Sequence, residues 1–316
     1  MSETPADYHY EMVGQFRVPA GLPEVPEHPR EPREFPYGRI ILPAIRKILR
    51  LQGMRITCVG AENLPTTGGA LIASNHTNYL DMCWVGVPAQ LRGKRLVRYM
   101  TKKEVFDIPV VGAIMRAMKQ VPVDRFAGRS SIAEAVRYLR AGHLVGVFPE
   151  ATISRSFELK GFKTGAVRIA AEAHTPLIPL VSWGGQRTWT KGGKKHLGRH
   201  HFPVRVHVGA PVDTSGTPEE ATARLKAAMQ ELLDDARHAY EAEYGPYEGG
   251  ESWRPAALGG GALTLAQADE LDAQYRAEKK RRHDEKQAAA EKKAAQKAAR
   301  KARGLWGRVT RKLSRS

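Results

Sequence analysis

Between Met54 and about Thr214 the chain alternates short apolar, β-branched segments with stretches of helical periodicity. Residues 55–59, 70–74, 96–100, 120–123, 144–148, 177–183 and 204–208 read as strands, and their apolar content suits buried positions. Helical stretches lie between them, notably 128–141, where Ser130 or Ser131 can cap, and 163–173. A charged closing helix is expected over 219–244. Strands that alternate with helices predict an α/β fold, a sheet with helices on both faces. Functional side chains in such folds collect on loops at strand ends.

The rest of the chain is set apart by composition. Residues 1–37 hold repeated prolines and charge with little to bury, which predicts a poorly ordered arm. Residues 38–245 form the expected catalytic-size domain, 246–261 a Gly-rich linker and 262–316 a basic Ala/Lys/Arg-rich tail, helical or disordered. The formal net charge is +17, and residues 276–316 hold 16 Lys+Arg against 4 Asp+Glu. A tail of that kind seeks polyanions, either nucleic acid or an anionic lipid surface. The Lys/Ala repeat offers no nucleic-acid fold and no base-stacking aromatics, whereas Leu305, Trp306, Val309 and Leu313 interleave with Arg308, Arg311 and Lys312 as lipid-facing segments do. An anionic membrane surface is therefore the expected partner, and a basic-tailed scaffold for nucleic acid the alternative.

A second amphipathic stretch runs from Ile41 to Gly53. Ile41, Ile45, Ile48 and Leu49 share one face and Arg39, Arg46 and Arg50 another, which fits a core-facing helix or one lying in a membrane interface. No run of ~18 apolar residues suggests a transmembrane helix, and Met1–Pro5 lacks the features of a signal peptide. Cys58 and Cys83 suggest neither a disulfide scaffold nor a metal site. The expected location is cytoplasmic, attached peripherally to the inner face of the cell membrane.

Chemistry enters at Ser74-Asn75-His76-Thr77-Asn78-Tyr79-Leu80-Asp81. A strand ending at Ser74 delivers His76 to a strand-to-helix turn, and one further turn of helix returns the Asp81 carboxylate to its ring. Such a carboxylate holds one imidazole nitrogen protonated and leaves the other free to take a proton. His and Asp five apart also arise by chance, and a second unusual segment, Val147-Phe148-Pro149-Glu150-Ala151-Thr152, gives the pairing its weight.

Together these segments resemble the phosphate/lysophospholipid acyltransferase family, of the 1-acylglycerol-3-phosphate acyltransferase type, over roughly residues 40–215. Asn75–Asp81 is similar to the family's catalytic block, Gln120–Arg125 to its second, Phe148–Ser154 to its third and Thr175–Leu180 to its fourth. Where the family has Gly-Thr-Arg after the Pro-Glu pair, this chain has Ala151-Thr152-Ile153, and Arg155 is the candidate replacement. The resemblance implies a glycerolipid-acyltransferase-type mixed sheet and acyl transfer from acyl-CoA or acyl carrier protein to the free hydroxyl of a lysophospholipid. 1-Acylglycerol 3-phosphate, giving phosphatidic acid, is the leading acceptor; another lysophospholipid or a glycolipid is the alternative. No cofactor or metal is implied. His76 becomes the base and Asp81 its orienting partner. Asn75, Lys102, Arg125, Glu150, Thr152 and Arg155 become substrate-binding candidates, with Glu150 either positioning the acceptor hydroxyl or tying down its loop. An acyl-chain groove is expected near Thr175–Leu180, and Trp183 and Trp189 amid basic residues suit a membrane interface.

Overall fold

The computed structural model describes residues 9–123 and 128–291, apart from 283, 286 and 290. Its centre is a nine-stranded sheet in the order β1-β2-β3-β9-β8-β4-β7-β5-β6. The strands are β1 (Tyr10–Val13), β2 (Phe16–Pro19), β3 (Arg55–Val59), β4 (Ala70–Ser74), β5 (Val97–Lys102), β6 (Val121–Val123), β7 (Leu144–Val147), β8 (Leu177–Trp183) and β9 (Pro203–Val208). Pairing is parallel except for the β1–β2 hairpin and the β8–β9 pair. All seven strands expected from the pattern are present, with ends moved by a residue or two.

Side chains alternate across the sheet with a period of two, so each central strand feeds two cores. Leu71 and Ala73 of β4 and Leu177 and Val181 of β8 join one core, while Ile72, Ile178 and Leu180 join the other. The first core is covered by α5 (Gly128–Arg140), α6 (Gly165–Ala173) and α7 (Pro218–Tyr244). Thr217 and Glu220 start α7 with a reciprocal capping box, the carboxylate taking the Thr217 amide at 2.9 Å. The second core packs under α1 (Leu42–Leu51) and α2 (Asp81–Leu91). Two short helices, α3 (Lys103–Phe106) and α4 (Val111–Ala117), follow β5.

Two expectations change. The poorly ordered arm over 1–37 is instead built into the domain from Tyr10 onward, with Phe16 and Arg17 of β2 pairing Ile56 and Thr57. Farther along, Glu31 is buried and accepts the Leu96 amide at 2.6 Å, with Arg95 and His143 each 3.7 Å away. Glu34 meets Arg98 at 2.8 Å, and the Tyr37 hydroxyl donates to the Val97 carbonyl at 3.0 Å. Arg95 and Arg98 are buried guanidiniums, which are tolerable only when paired, and this arm carries their carboxylates. Likewise 246–261 is not a free linker. Trp253 packs between Trp183, Tyr240 and Tyr247 with centroids 6.3, 5.9 and 5.1 Å apart, closing the first core.

The compact unit extends to Leu263, and 264–316 forms a second unit. Residues 265–282 of that unit are helical, opened by Thr264 and Gln267 bonding each other's amides at 3.0 and 3.3 Å. The expected lipid-facing segment 304–313 lies outside the described residues.

Candidate active site

β4 ends at Ser74 and α2 begins at Asp81, so the six residues between them make the turn. The turn itself, rather than an added helical turn, brings the carboxylate back. Asp81 Oδ2 accepts the Thr77 and Asn78 amides at 2.7 and 2.9 Å, a backbone nest that stabilises a buried negative charge. Oδ1 accepts from the Asn78 side-chain amide and, at 3.5 Å, from the Ser182 hydroxyl. With its side chain fully buried, Asp81 meets His76 Nδ1 at 2.8 Å. A carboxylate partner makes Nδ1 the protonated nitrogen and leaves a lone pair on Nε2. The His76 side chain is 22% exposed.

The third block clamps this histidine. Phe148 stacks on the His76 ring at 4.2 Å and 19°. The His76 amide donates to Glu150 Oε1 at 2.9 Å, and its carbonyl accepts the Ser154 amide at 2.7 Å. Glu150 Oε2 accepts the Lys160 amide at 3.1 Å. Burial pushes the Glu150 carboxyl up to about 8, with Asp81 adding to the shift and the His76 and Lys160 amides opposing it. Of the two roles expected for Glu150, its contacts are those of a loop tie.

The other candidates scatter. Asn75 is buried and its carboxamide is used twice on Ser182, donating to the carbonyl at 3.0 Å and accepting the amide at 2.8 Å. These contacts anchor the turn to β8. Thr152 accepts from Lys191 Nζ at 3.5 Å, and Arg155 lies against Gly192. Ile153 is buried at 6% exposure, so no arginine could take its place without burying a charge. Lys102 is exposed at the end of β5. Arg125 lies outside the described residues.

The Acyltransferase family model matches residues 55–183, the span that holds β3 through β8 and the whole His76 site. A 1-acyl-sn-glycerol-3-phosphate acyltransferase of Bacillus subtilis is 32% identical over 198 residues, covering 60% of this chain and 90% of the relative. This chain belongs to the 1-acyl-sn-glycerol-3-phosphate acyltransferase family. It is an O-acyltransferase. A chloroplastic relative from Arabidopsis thaliana is 30% identical over 182 residues, 55% of this chain and 49% of that one. The Escherichia coli enzyme of the same name is 26% identical over 197 residues, 60% and 75% of the two chains. The crystal structure of an LPA acyltransferase from Thermotoga maritima overlays with a TM-score of 0.47 at 22% identity, covering 65% of this chain and 81% of that one.

Around His76 lie features that the sequence did not announce. Phe148, Asn78 and Ser182 complete the His76–Asp81 pair, and the Ser182 contact crosses 101 positions of sequence. An apolar cavity of about 250 Å³ opens beside Met82 and Cys83, the residues that follow Asp81, and is lined by Tyr37, Leu42, Gly86 and Tyr99. This cavity is not lined by Thr175–Leu180, near which a groove was expected; β8 is buried throughout as the middle of the sheet. Trp183 is also buried, at 2% exposure, and faces the first core rather than a membrane.

Proposed function

We propose that this acyltransferase moves an acyl group from acyl-CoA or acyl carrier protein to the free hydroxyl of 1-acylglycerol 3-phosphate, giving phosphatidic acid. The observation that carries this reading is the His76–Asp81 pair at 2.8 Å, with Nε2 left open. Nε2 takes the proton as the acceptor oxygen attacks the thioester carbonyl. The tetrahedral intermediate then collapses, the C–S bond breaks, and the leaving thiolate recovers the proton from His76. No acyl-enzyme is formed. The buried Asp81 stabilises the transient imidazolium, and the Phe148 stack and Glu150 tie hold the ring in line. The apolar cavity beside Met82 takes an acyl chain.

The acceptor's phosphate is assigned to Lys102 and Arg125, while Arg155, the sequence's other candidate, lies against the Gly192 tip. A different lysophospholipid or a glycolipid is the second reading, favoured by the buried Ile153 where the family carries an arginine. Attachment is peripheral, on the inner face of the cell membrane. None of the described helices is long and apolar enough to cross a bilayer. Ile40, Ile48 and Leu51 are exposed at 53%, 53% and 65% near Arg39 and Arg50, as a lipid-contacting helix requires.

The test is an acyl-transfer assay with acyl-CoA and lysophosphatidic acid, run with wild type and His76→Ala. Wild type should form phosphatidic acid and the variant should lose about 10²–10⁴-fold in kcat while keeping its circular dichroism. Turnover only with another lysolipid would move the acceptor to the second reading.

A further inference from the structure

A second cavity, of about 580 Å³, is lined by Arg155 and Phe157 just past the third block and is far more basic. Its lining includes Arg155, Arg187, Lys191, Lys194 and His196, and among the described residues none that lines it is acidic. We propose that this basin binds the nucleotide end of a coenzyme A thioester, its 3′-phosphate and pyrophosphate, and so fixes the donor as acyl-CoA rather than a protein-borne acyl group. The inference rests on the acyl-transfer reading given above.

Three observations support it. First, the basin is hooked to the catalytic turn. A hairpin closed by the Trp189–Lys195 bridge carries Lys191 and Lys194 on its Gly192-Gly193 tip. Its Thr190 hydroxyl donates to the Thr77 carbonyl at 2.6 Å, and its Trp189 carbonyl accepts the Tyr79 amide at 3.0 Å. A thioester at His76 and phosphates in the basin thus fall along one continuous wall.

Second, the cations are arranged as a floor and a rim. Arg187 is held between Phe202 and Trp253, its guanidinium carbon 4.6 Å from each ring centroid, and it donates to the Tyr240 hydroxyl at 3.0 Å. That fork is preorganised, which suits phosphate recognition. Lys194 and His196 are exposed at the rim and Lys191 is half-buried. Gly192 has a φ of +82°, and a Cβ there would come within 2.7 Å of Arg155 Nη1, so the bare tip lets the guanidinium approach.

Third, size and reach exclude the acceptor. The phosphate of 1-acylglycerol 3-phosphate sits on the carbon next to the attacking hydroxyl and must bind beside His76. A basin this large suits a whole nucleotide rather than a lone phosphate, and in coenzyme A the long pantetheine arm keeps the thioester well away from those phosphates. Phe202 and Trp253 add apolar wall for the base.

The test uses the full chain and the double variant Lys191→Gln/Lys194→Gln, whose side chains lie on the hairpin tip outside the core. Adenosine 3′,5′-bisphosphate is titrated by calorimetry, and KM is measured for acyl-CoA, its 3′-dephosphorylated analogue and lysophosphatidic acid. The expected result is nucleotide binding by wild type, weakened about tenfold in the variant. KM for acyl-CoA should rise by a similar factor, the preference for the 3′-phosphorylated donor should shrink, and KM for the acceptor should hold. An unchanged donor KM overturns the proposal, as does a rise confined to the acceptor. Loss of turnover with acyl-[acyl carrier protein] in the absence of nucleotide binding overturns it in favour of a protein donor. Nucleotide binding by a wild type that acylates no lysolipid would instead refute the acyl-transfer reading and leave the basin's assignment standing.

Discussion

Replacing one carboxylate oxygen of Asp81 by nitrogen separates charge from shape. Asp81→Asn still fills the nest, but an amide nitrogen in place of Oδ2 cannot accept from His76 or the Thr77 and Asn78 amides, and in place of Oδ1 cannot accept from the Asn78 side chain or Ser182. kcat should fall about 10²–10⁴-fold with much smaller change in KM, measured by steady-state kinetics with folding checked by circular dichroism. Glu150 gives a different signature. Its folded-state value of about 8 stands above the ordinary 4.5, so the folded protein holds this proton more tightly than the unfolded chain. The corresponding stability is complete below 4.5 and is lost as pH rises through 8. Glu150→Gln removes that titration and one amide acceptor, so Tm should drop at acid pH, where wild type keeps that stability, and its decline as pH rises from 4.5 to 8 should flatten relative to wild type. Thermal denaturation across that range decides it. His76, Asp81 and Glu150 were legible because their spacing within one turn or one Pro-containing loop constrains them locally. Phe148 and Ser182 were not, since their contacts exist only once β7 and β8 flank β4.

At the scale of elements, α2 joins the His76 turn to the apolar cavity. Gly86, one helical turn beyond Met82, faces that cavity, and a Cβ there meets only the Tyr99 hydroxyl at 3.5 Å. Gly86→Leu should fold, because the added side chain projects into open space and leucine favours helix. In competition between short and long acyl donors, it should shift the kcat/KM ratio toward the short chain by about tenfold. The central strands were readable from β-branched runs, whose burial on both faces leaves little polar ambiguity. The β1–β2 hairpin was not, because Phe16 and Val18 are its only fully buried side chains and the prolines that follow resemble a disordered arm. In helix α1 Leu49 is buried in the second core, whereas Ile48, expected on the same face, and Leu51 point outward.

For the whole molecule, charge is divided unevenly. Residues 276–316 hold +12 of the net +17, and each Lys or Arg near an anionic bilayer contributes about 1 kcal/mol. A protein ending at Leu263 should retain the compact first unit and acyl transfer on detergent-dispersed substrate, yet sediment far less with anionic vesicles. Undiminished sedimentation would assign attachment to α1 alone. Composition was enough to mark that tail, but not the end of the first unit, because Trp253 and Tyr247 enter the core from a stretch that reads as a linker. The strand order also carries a consequence for how the chain is made. β3 has no neighbour on its inner side until β9 arrives at residues 203–208, and β4 waits for β7 and β8. A ribosome has therefore delivered two thirds of the chain before the amino-terminal hairpin can join the sheet through β9. Each edge of β3 and β4 stands open until its own partner emerges, so the nascent chain exposes strand edges through much of its synthesis.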